Sequence, residues 1–317
     1  MMADVYDIII VGGGPSGMTA GLYSCRARMK TLLIEKMACG GQALVADVIE
    51  NFPGFPDGIK GPELAEWMLK QAEHFGLKTE PGEVKIIVLK KTEKGQFMIK
   101  LADGREFLAI SLIIATGARW NSLNVPREKE LSGKGVSYCA TCDGPLFKGK
   151  DVTVVGGGDT ALEDAIFLTK FARKVTVVHR RDRLRATKIL QERAQANRRI
   201  EFCLNSVVAE ILGKDKIEAV KIKDLKSDKE KEVKTDGIFI LIGISPNSEI
   251  VRGIVNTDEK GYIISDDEMR TSVDGIFACG DVRKKLLRQV VTATGDGAIA
   301  AVSAQAYVER IKGVEYK

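Results

Sequence analysis

DIIIVGGGPSGMTAGLYS at positions 7–24 and DVTVVGGGDTALEDAIFL at 151–168 repeat one local pattern. Each opens on a short β-branched apolar run, the reading of a strand buried on both faces of a parallel sheet. Each then passes through three consecutive glycines into a helical pattern. A single G-x-G-x-x-G is weak evidence, but strand, glycine turn and helix in that order give it meaning, and the order occurs twice. Each position has a physical task. Gly12 turns the chain, Gly14 lets backbone approach a pyrophosphate, and Gly17 packs the helix on the strand. The helix start then offers free N–H groups to phosphate. Gly156, Gly158 and Ala161 fill the same places in the second copy, with Asp159 and Thr160 opening its helix.

The fold class that follows is α/β, built on two Rossmann-like nucleotide-binding domains. What comes after each glycine turn separates their ligands. KTLLIEK ends a strand at Glu35, an acid placed for ribose hydroxyls. KVTVVHRRDRLRA has no acid there. It offers His179, Arg180 and Arg181, with Arg185 one turn on, and guanidinium forks suit the 2′-phosphate that marks NADPH. His179 itself can serve to shape the loop. A run of charge is more often a solvated face, but its place directly after such a strand favours the phosphate. Two more apolar strands, SLIIATGA (111–118) and GIFACGDV (275–282), end in turns, and the second delivers Asp281, suited to sugar hydroxyls. RQVVTATGDGAIAAVSAQAYVERI (288–311) reads as a helix whose N-terminal N–H groups suit the electron-rich end of a flavin.

A chain of 317 residues favours about two domains. Its 48 basic and 43 acidic residues leave a net charge of +5, too small an excess to argue for nucleic acid or a membrane surface. KDLKSDKEKEVK (223–234) reads as an exposed turn between strands. The first strand begins almost at once, so no export signal is expected, and no apolar run approaches the roughly 20 residues of a membrane span. Six cysteines in this length do not form a disulfide scaffold. Cys25, Cys39, Cys203 and Cys279 read as isolated core or loop residues. The expected home is a reducing cytoplasm, where a disulfide is transient or catalytic. That leaves YCATCDG (138–144), whose C-x-x-C serves metal, redox or no chemistry at all.

Taken in order, GGGPSG, CGGQ, ATGA, CATCDG, GGGDTALE, HRRDRLRA, GISPNS, ACGDV and RQVVTATGDGA run over essentially the whole chain. This set resembles the low-molecular-weight thioredoxin reductases, of bacterial and archaeal type, in the FAD/NADPH pyridine nucleotide-disulfide oxidoreductase family. The resemblance implies a split FAD domain, 1–118 and 248–317, with an NADPH domain inserted at 119–247 and carrying the cysteine pair. It also implies a homodimer. GARWNSLNVP and GISPNSE fit as irregular connectors at the two crossings. Carried over by position, FAD contacts would come from Gly12, Gly14, Ser16, Gly17, Glu35, Gly41, Gln42, Asn51, Val84 (backbone), Gly280, Asp281, Arg288, Gln289 and Val290. NADPH would use Gly156, Gly158, Asp159, Thr160, His179, Arg180, Arg181 and Arg185. The chain departs from the family at Arg119-Trp120, where small residues and a slightly longer connector are expected.

A structural metal site needs about four ligands. Beside one C-x-x-C this chain has only His74 and His179, so no metal is expected. Beside two nucleotide motifs, the pair reads as a redox disulfide able to pass electrons on by thiolate exchange. In the family the aspartate after the second cysteine, here Asp143, acts as acid. To do so near neutrality its pKa would have to rise through desolvation or a neighbouring thiolate. An Asp-Gly turn is the plainer reading of the same residue. The implied reaction is thioredoxin-disulfide reduction: hydride from NADPH to FAD, electrons to Cys139–Cys142, then exchange with thioredoxin or a thioredoxin-like protein. The alternatives are a glutaredoxin-like or peroxiredoxin partner, or a flavin-based NADPH sensor without turnover.

Overall fold

The computed structural model describes residues 5–46, 48–90 and 96–314. In chain order β1 (Val5–Val11), α1 (Pro15–Arg26) and β2 (Thr31–Glu35) make the first strand–helix–strand unit, followed by α2 (Gly61–His74) and β3 (Lys78–Pro81). A meander of β4 (Val84–Lys90), β5 (Gln96–Leu101) and β6 (Glu106–Ile114) leads to the short β7 (Ala118–Trp120). β8 (Val136–Ser137), the single turn α3 (Ala140–Asp143), β9 (Asp151–Val155), α4 (Asp159–Leu168), β10 (Lys174–Val178), α5 (Lys188–Ala196) and β11 (Ile200–Cys203) follow. Next come β12 (Ser206–Leu212), β13 (Ala219–Asp224), β14 (Glu230–Lys234), β15 (Gly237–Ile240) and β16 (Ile244–Pro246). β17 (Ile276–Ala278) and the long α6 (Val290–Lys312) complete the chain's elements.

Two compact units result. One takes the chain up to Ala46, Glu50–Arg119 and Ser245 onward, and the other takes residues 48–49 with Trp120–Ile244. In the first, the strand order is β3-β2-β1-β6-β5-β4, with β17 also on β6. On the edge away from β1, β6 serves two partners: Glu106–Ala109 pairs antiparallel with β5, and Leu112–Ile114 pairs parallel with β17. The unbroken apolar run of β1 is explained by its two covered faces. Ile8 and Ile10 join one core with Met18 of α1 and Ala300, Ala301 and Ala304 of α6. Ile9 and Val11 alternate into a second core with Phe97, Ile99 and Val282. Each such side chain, fully buried, stabilises by about 1.5–3 kcal/mol.

In the second unit β11-β10-β9-β15-β8 form a parallel sheet. One face packs on α4 through Ala161, Leu162, Ala165 and Leu168. The other packs on the antiparallel sheet β12-β13-β14 through Val208, Ile211, Val220 and Ile222. The mixed-sign stretch 223–234 is the end of β13, a turn and the exposed β14.

The connectors are more ordered than irregular loops. β7 and β16 pair as a two-stranded sheet. The division between the two compact units falls at Ile244/Ser245, and Asn247 is knitted into the first unit. Its N–H donates to Gly117 O at 3.0 Å and its amide to Thr116 O at 2.9 Å. The unexpected Arg119-Trp120 also divides between the units. Arg119 donates to Asn247 Oδ1 at 2.6 Å and Glu249 Oε1 at 2.7 Å in the first. Trp120 stacks on Tyr138 in the second, with centroids 6.1 Å apart.

Candidate active site

The first glycine turn is built for tight packing on one side and an open approach on the other. Gly12 sits at φ +110°, and a Cβ there would lie 2.4 Å from Ala115 O. A Cβ on Gly17 would lie 1.9 Å from Gly12 O, so any larger residue would push α1 off the strand. Gly14 differs: its φ of −72° is ordinary and a Cβ would meet nothing within 4 Å. Neither conformation nor packing within the chain demands glycine there, whereas close approach of a ligand to the start of α1 does. Glu35 closes this cradle, accepting Gly13 N–H at 2.6 Å and Met37 N–H at 2.9 Å.

The other residues expected to hold FAD lie in the same unit, and several touch despite long sequence separation. A Cβ on Gly41 would lie 3.1 Å from Gly14 Cα, and one on Gly280 2.5 Å from Ser16 Oγ. Gln42 donates to Ala118 O. Asn51 donates to Gln289 Oε1 at 3.0 Å, and Gln289 caps α6, whose first residue is Val290. The Arg288 guanidinium lies 4.1 Å from the Tyr262 ring centroid, and Val84 is buried at the start of β4. Asp281 gives the sharpest test of fit. Its Oδ1 is buried with no hydrogen-bond partner, and burial pushes the carboxyl's pKa up. A sugar hydroxyl would satisfy that atom.

Sequence reading missed what lies beneath. Asp296 of α6 accepts from Gly280 N–H at 3.1 Å, Arg283 Nη1 at 3.2 Å and Lys285 Nζ at 2.7 Å. All three charged side chains are at most 12% exposed. The signal was an acid on the small-residue face of a helix, in register with Ala293, Gly297 and Ala300. Asp296→Ala would strand two buried cations. The expected cost is about 3–5 kcal/mol, read as a lower midpoint in chemical denaturation followed by circular dichroism.

The second cradle repeats the logic. A Cβ on Gly158 would again meet nothing within 4 Å, at the start of α4, while Gly156 and Ala161 are tightly packed. His179 is buried, and a Cβ on Gly157 would lie 2.3 Å from its Nδ1. Its Nε2 faces Arg183 O at 3.1 Å, and burial lowers its pKa, so it is a neutral ring that shapes the glycine turn. The arginine loop is tied to the same turn: Arg185 N–H donates to Gly157 O at 2.6 Å, and Asp159 accepts Thr187 N–H at 2.6 Å. Thr160 is exposed beside Asp159. Arg180, Arg181 and Arg185 are exposed and make no ion pair among the described residues.

In that unit Cys139 and Cys142 are joined as a disulfide on α3, with Asp143 next in line. Ser137 Oγ accepts Cys139 N–H at 3.1 Å, the Thr141 hydroxyl lies 3.4 Å from Cys139 Sγ, and Asp143 N–H donates to Cys139 O at 3.1 Å. Three of the free thiols, Cys25, Cys39 and Cys279, are poor competitors for exchange. Burial pushes Cys39 up to about 11, with Glu35 and Glu73 adding to the effect, and pushes Cys279 up to about 12. Cys25 shifts the same way, also through burial. Among the described residues no cluster of three or more His, Cys, Asp or Glu could hold a metal, and no helix is long and apolar enough to cross a membrane.

Two open glycine cradles at strand-to-helix turns and a disulfide in a C-x-x-C turn define a nucleotide-dependent disulfide oxidoreductase. The chain belongs to the pyridine nucleotide-disulphide oxidoreductase family, whose profile matches residues 6–297. It is 48% identical to the thioredoxin reductase of Bacillus subtilis over 309 residues, 97% of this chain and 96% of that one. The crystal structure of thioredoxin reductase from Streptococcus pyogenes, 47% identical, superposes with a TM-score of 0.92 over 96% of this chain and 99% of that one. The Lactococcus lactis thioredoxin reductase in its FR conformation is 46% identical and gives 0.66 over the same shares.

Proposed function

We propose that this chain is a thioredoxin-disulfide reductase that uses NADPH as electron donor and FAD as resident cofactor. The observation that carries this is the Cys139–Cys142 disulfide, set in the same unit as the second glycine cradle and its unpaired arginines. Similarity to named thioredoxin reductases over 97% of the chain supports it. FAD, when bound, would relay an electron pair between nicotinamide and disulfide, which side chains alone cannot do. In the first unit Gly12, Gly14, Ser16 and Gly17 would take its pyrophosphate and Glu35 a ribose. Asp281 would hold sugar hydroxyls, while Gly41, Gln42, Asn51, Val84, Gly280, Arg288, Gln289 and Val290 would line the rest. In the second, Gly156, Gly158, Asp159 and Thr160 would seat NADPH, with His179 shaping the loop.

The second unit would bear both the nicotinamide and the disulfide, and each must come within roughly 3–3.5 Å of the flavin to react. They cannot do so together, so the unit turns between two orientations about the two connectors. The split anchoring of Arg119 and Trp120 supports a hinge at that peptide. By family we also place it as a cytoplasmic homodimer. The deciding assay is NADPH oxidation by the purified holoprotein with a panel of thioredoxins. Steady turnover separates an enzyme from a nucleotide sensor.

Nucleotide choice is testable in the same assay. Arg180→Ala with Arg181→Ala is expected to raise KM for NADPH about tenfold or more, since charge-assisted hydrogen bonds to the 2′-phosphate are lost. NADH, lacking that phosphate, should be used as before. Equal losses with both nucleotides would remove the arginines from recognition.

A further inference from the structure

The second unit buries a carboxylate that the proposed reaction leaves without a task. Glu128 is 2% exposed and lies in the stretch that leads from Trp120 to the cysteine pair. Its oxygens accept consecutive backbone N–H groups, from Leu123 at 3.0 Å, Asn124 at 2.7 Å and Val125 at 3.4 Å. Such a row of N–H groups is a cradle for an anion, here filled by the chain itself. Within the loop so gathered, Asn124 and Arg127 stand at φ +58° and +69°. Residues with a Cβ keep that conformation only where their surroundings impose it. A further bond to Glu128 comes from the Tyr138 hydroxyl at 2.8 Å. Tyr138 directly precedes Cys139, and its ring lies on Trp120 with planes 16° apart. One carboxylate thus joins the loop after the connector to the residue that leads into the disulfide.

We propose that Glu128 is a positioning residue for the redox disulfide: by holding Tyr138 between its carboxylate and Trp120, it keeps Cys139–Cys142 in register with the connector about which the second unit turns. This rests on reading that pair as the redox centre. The C-x-x-C turn is anchored on two sides. Ala140, 1% exposed, packs into the core beside α4, while Tyr138 holds the approach to Cys139. Between them the bonding is local, Cys139 N–H to Ser137 Oγ, and Cys139 gives α3 no side-chain cap. A shift of Tyr138 therefore passes to the first sulfur. In the step this serves, the S–S bond breaks on taking the electron pair that reached the flavin. Overall NADPH, one proton and the disulfide become NADP+ and two thiols. That transfer needs reacting atoms within about 3–3.5 Å, and misplacement by about 1 Å can slow such a step about 10²-fold. Hydride arrival depends instead on the second glycine cradle, whose residues are not among the donors to Glu128.

The test mixes the holoprotein with NADPH anaerobically in a stopped-flow instrument and follows flavin absorbance. Bleaching reads hydride arrival, and the recovery after it reads transfer to the disulfide. Glu128→Gln keeps the size and one acceptor oxygen but loses the other. It is expected to slow recovery about tenfold or more and to leave bleaching within about twofold. Tyr138→Phe removes only the hydroxyl, should slow the same phase, and serves if the first variant does not fold. Joined, the two changes should slow recovery no more than Glu128→Gln alone, because they cut one path. A second readout needs neither electron transfer nor thioredoxin. The chain has two tryptophans, Trp67 and Trp120, so in a Trp67→Phe background time-resolved anisotropy reports the Trp120 ring. That ring should move more freely in Glu128→Gln. Recovery within about twofold of wild type, equal slowing of both phases, or unchanged anisotropy overturns the proposal. A wild-type protein with no recovery phase would instead refute the redox reading of the pair, and the anisotropy would still decide whether Glu128 holds Tyr138 on Trp120.

Discussion

Cys139→Ser and Cys142→Ser are each expected to abolish thioredoxin reduction while FAD stays bound and is still reduced by NADPH. Hydride reaches the flavin without help from thiols, so that half-reaction should keep its rate. Departure of the electrons is different. One thiolate must attack the partner's disulfide, and the second cysteine must then break the mixed disulfide and close the ring with its neighbour. Serine can do neither. Cys39 and Cys279 are poor substitutes, since burial pushes their pKa values up to about 11 and about 12. Stopped-flow flavin absorbance and steady-state turnover together read the two halves. The mutant that retains the attacking cysteine should in addition trap thioredoxin as a mixed disulfide, which identifies the attacking sulfur. A single mutant with wild-type turnover would take the pair out of the mechanism.

What sequence made legible was chiefly what local pattern controls. The glycine turns, β1 and β9, the helices α1, α4 and α6, and the C-x-x-C turn all stand where their residues put them. Each is fixed by short-range chemistry: glycine where a Cβ would collide, and apolar runs where both faces of a strand are covered. What lay beyond reach was set by packing between distant segments. The antiparallel sheet over the second unit's far face reads as ordinary alternation in β12 and β13, and nothing local says which face of which sheet it covers. The connectors were read as irregular because three-residue strands such as β7 carry too little pattern to register. Asp296 escaped for a related reason. An acid on an inward helix face looks like a solvated residue until its partners arrive from other elements, here Gly280, Arg283 and Lys285. His179, counted among the NADPH residues, shows a third case. Only the fold shows its ring packed against Gly157.

Asp143→Asn is expected to slow electron transfer to thioredoxin by about 10²–10⁴ while leaving reduction of FAD by NADPH unchanged. Opening a disulfide with an electron pair produces sulfur anions, and each completed exchange returns a thiolate that needs a proton. Imidazole is the usual source, but the chain has only His74 and His179. His179 is held neutral, its pKa lowered chiefly by burial, with Nε2 on the Arg183 carbonyl, and His74 belongs to the last turn of α2 in the other unit. Asp143 is the carboxyl group adjoining Cys142, at the end of the same helical turn. Asparagine matches its shape and can still terminate α3, where the residue's own N–H donates to Cys139 O at 3.1 Å. It cannot release a proton. The substitution therefore separates acid from turn former. Stopped-flow traces in which both half-reactions of Asp143→Asn match the wild type would leave Asp143 with only its part in ending the turn.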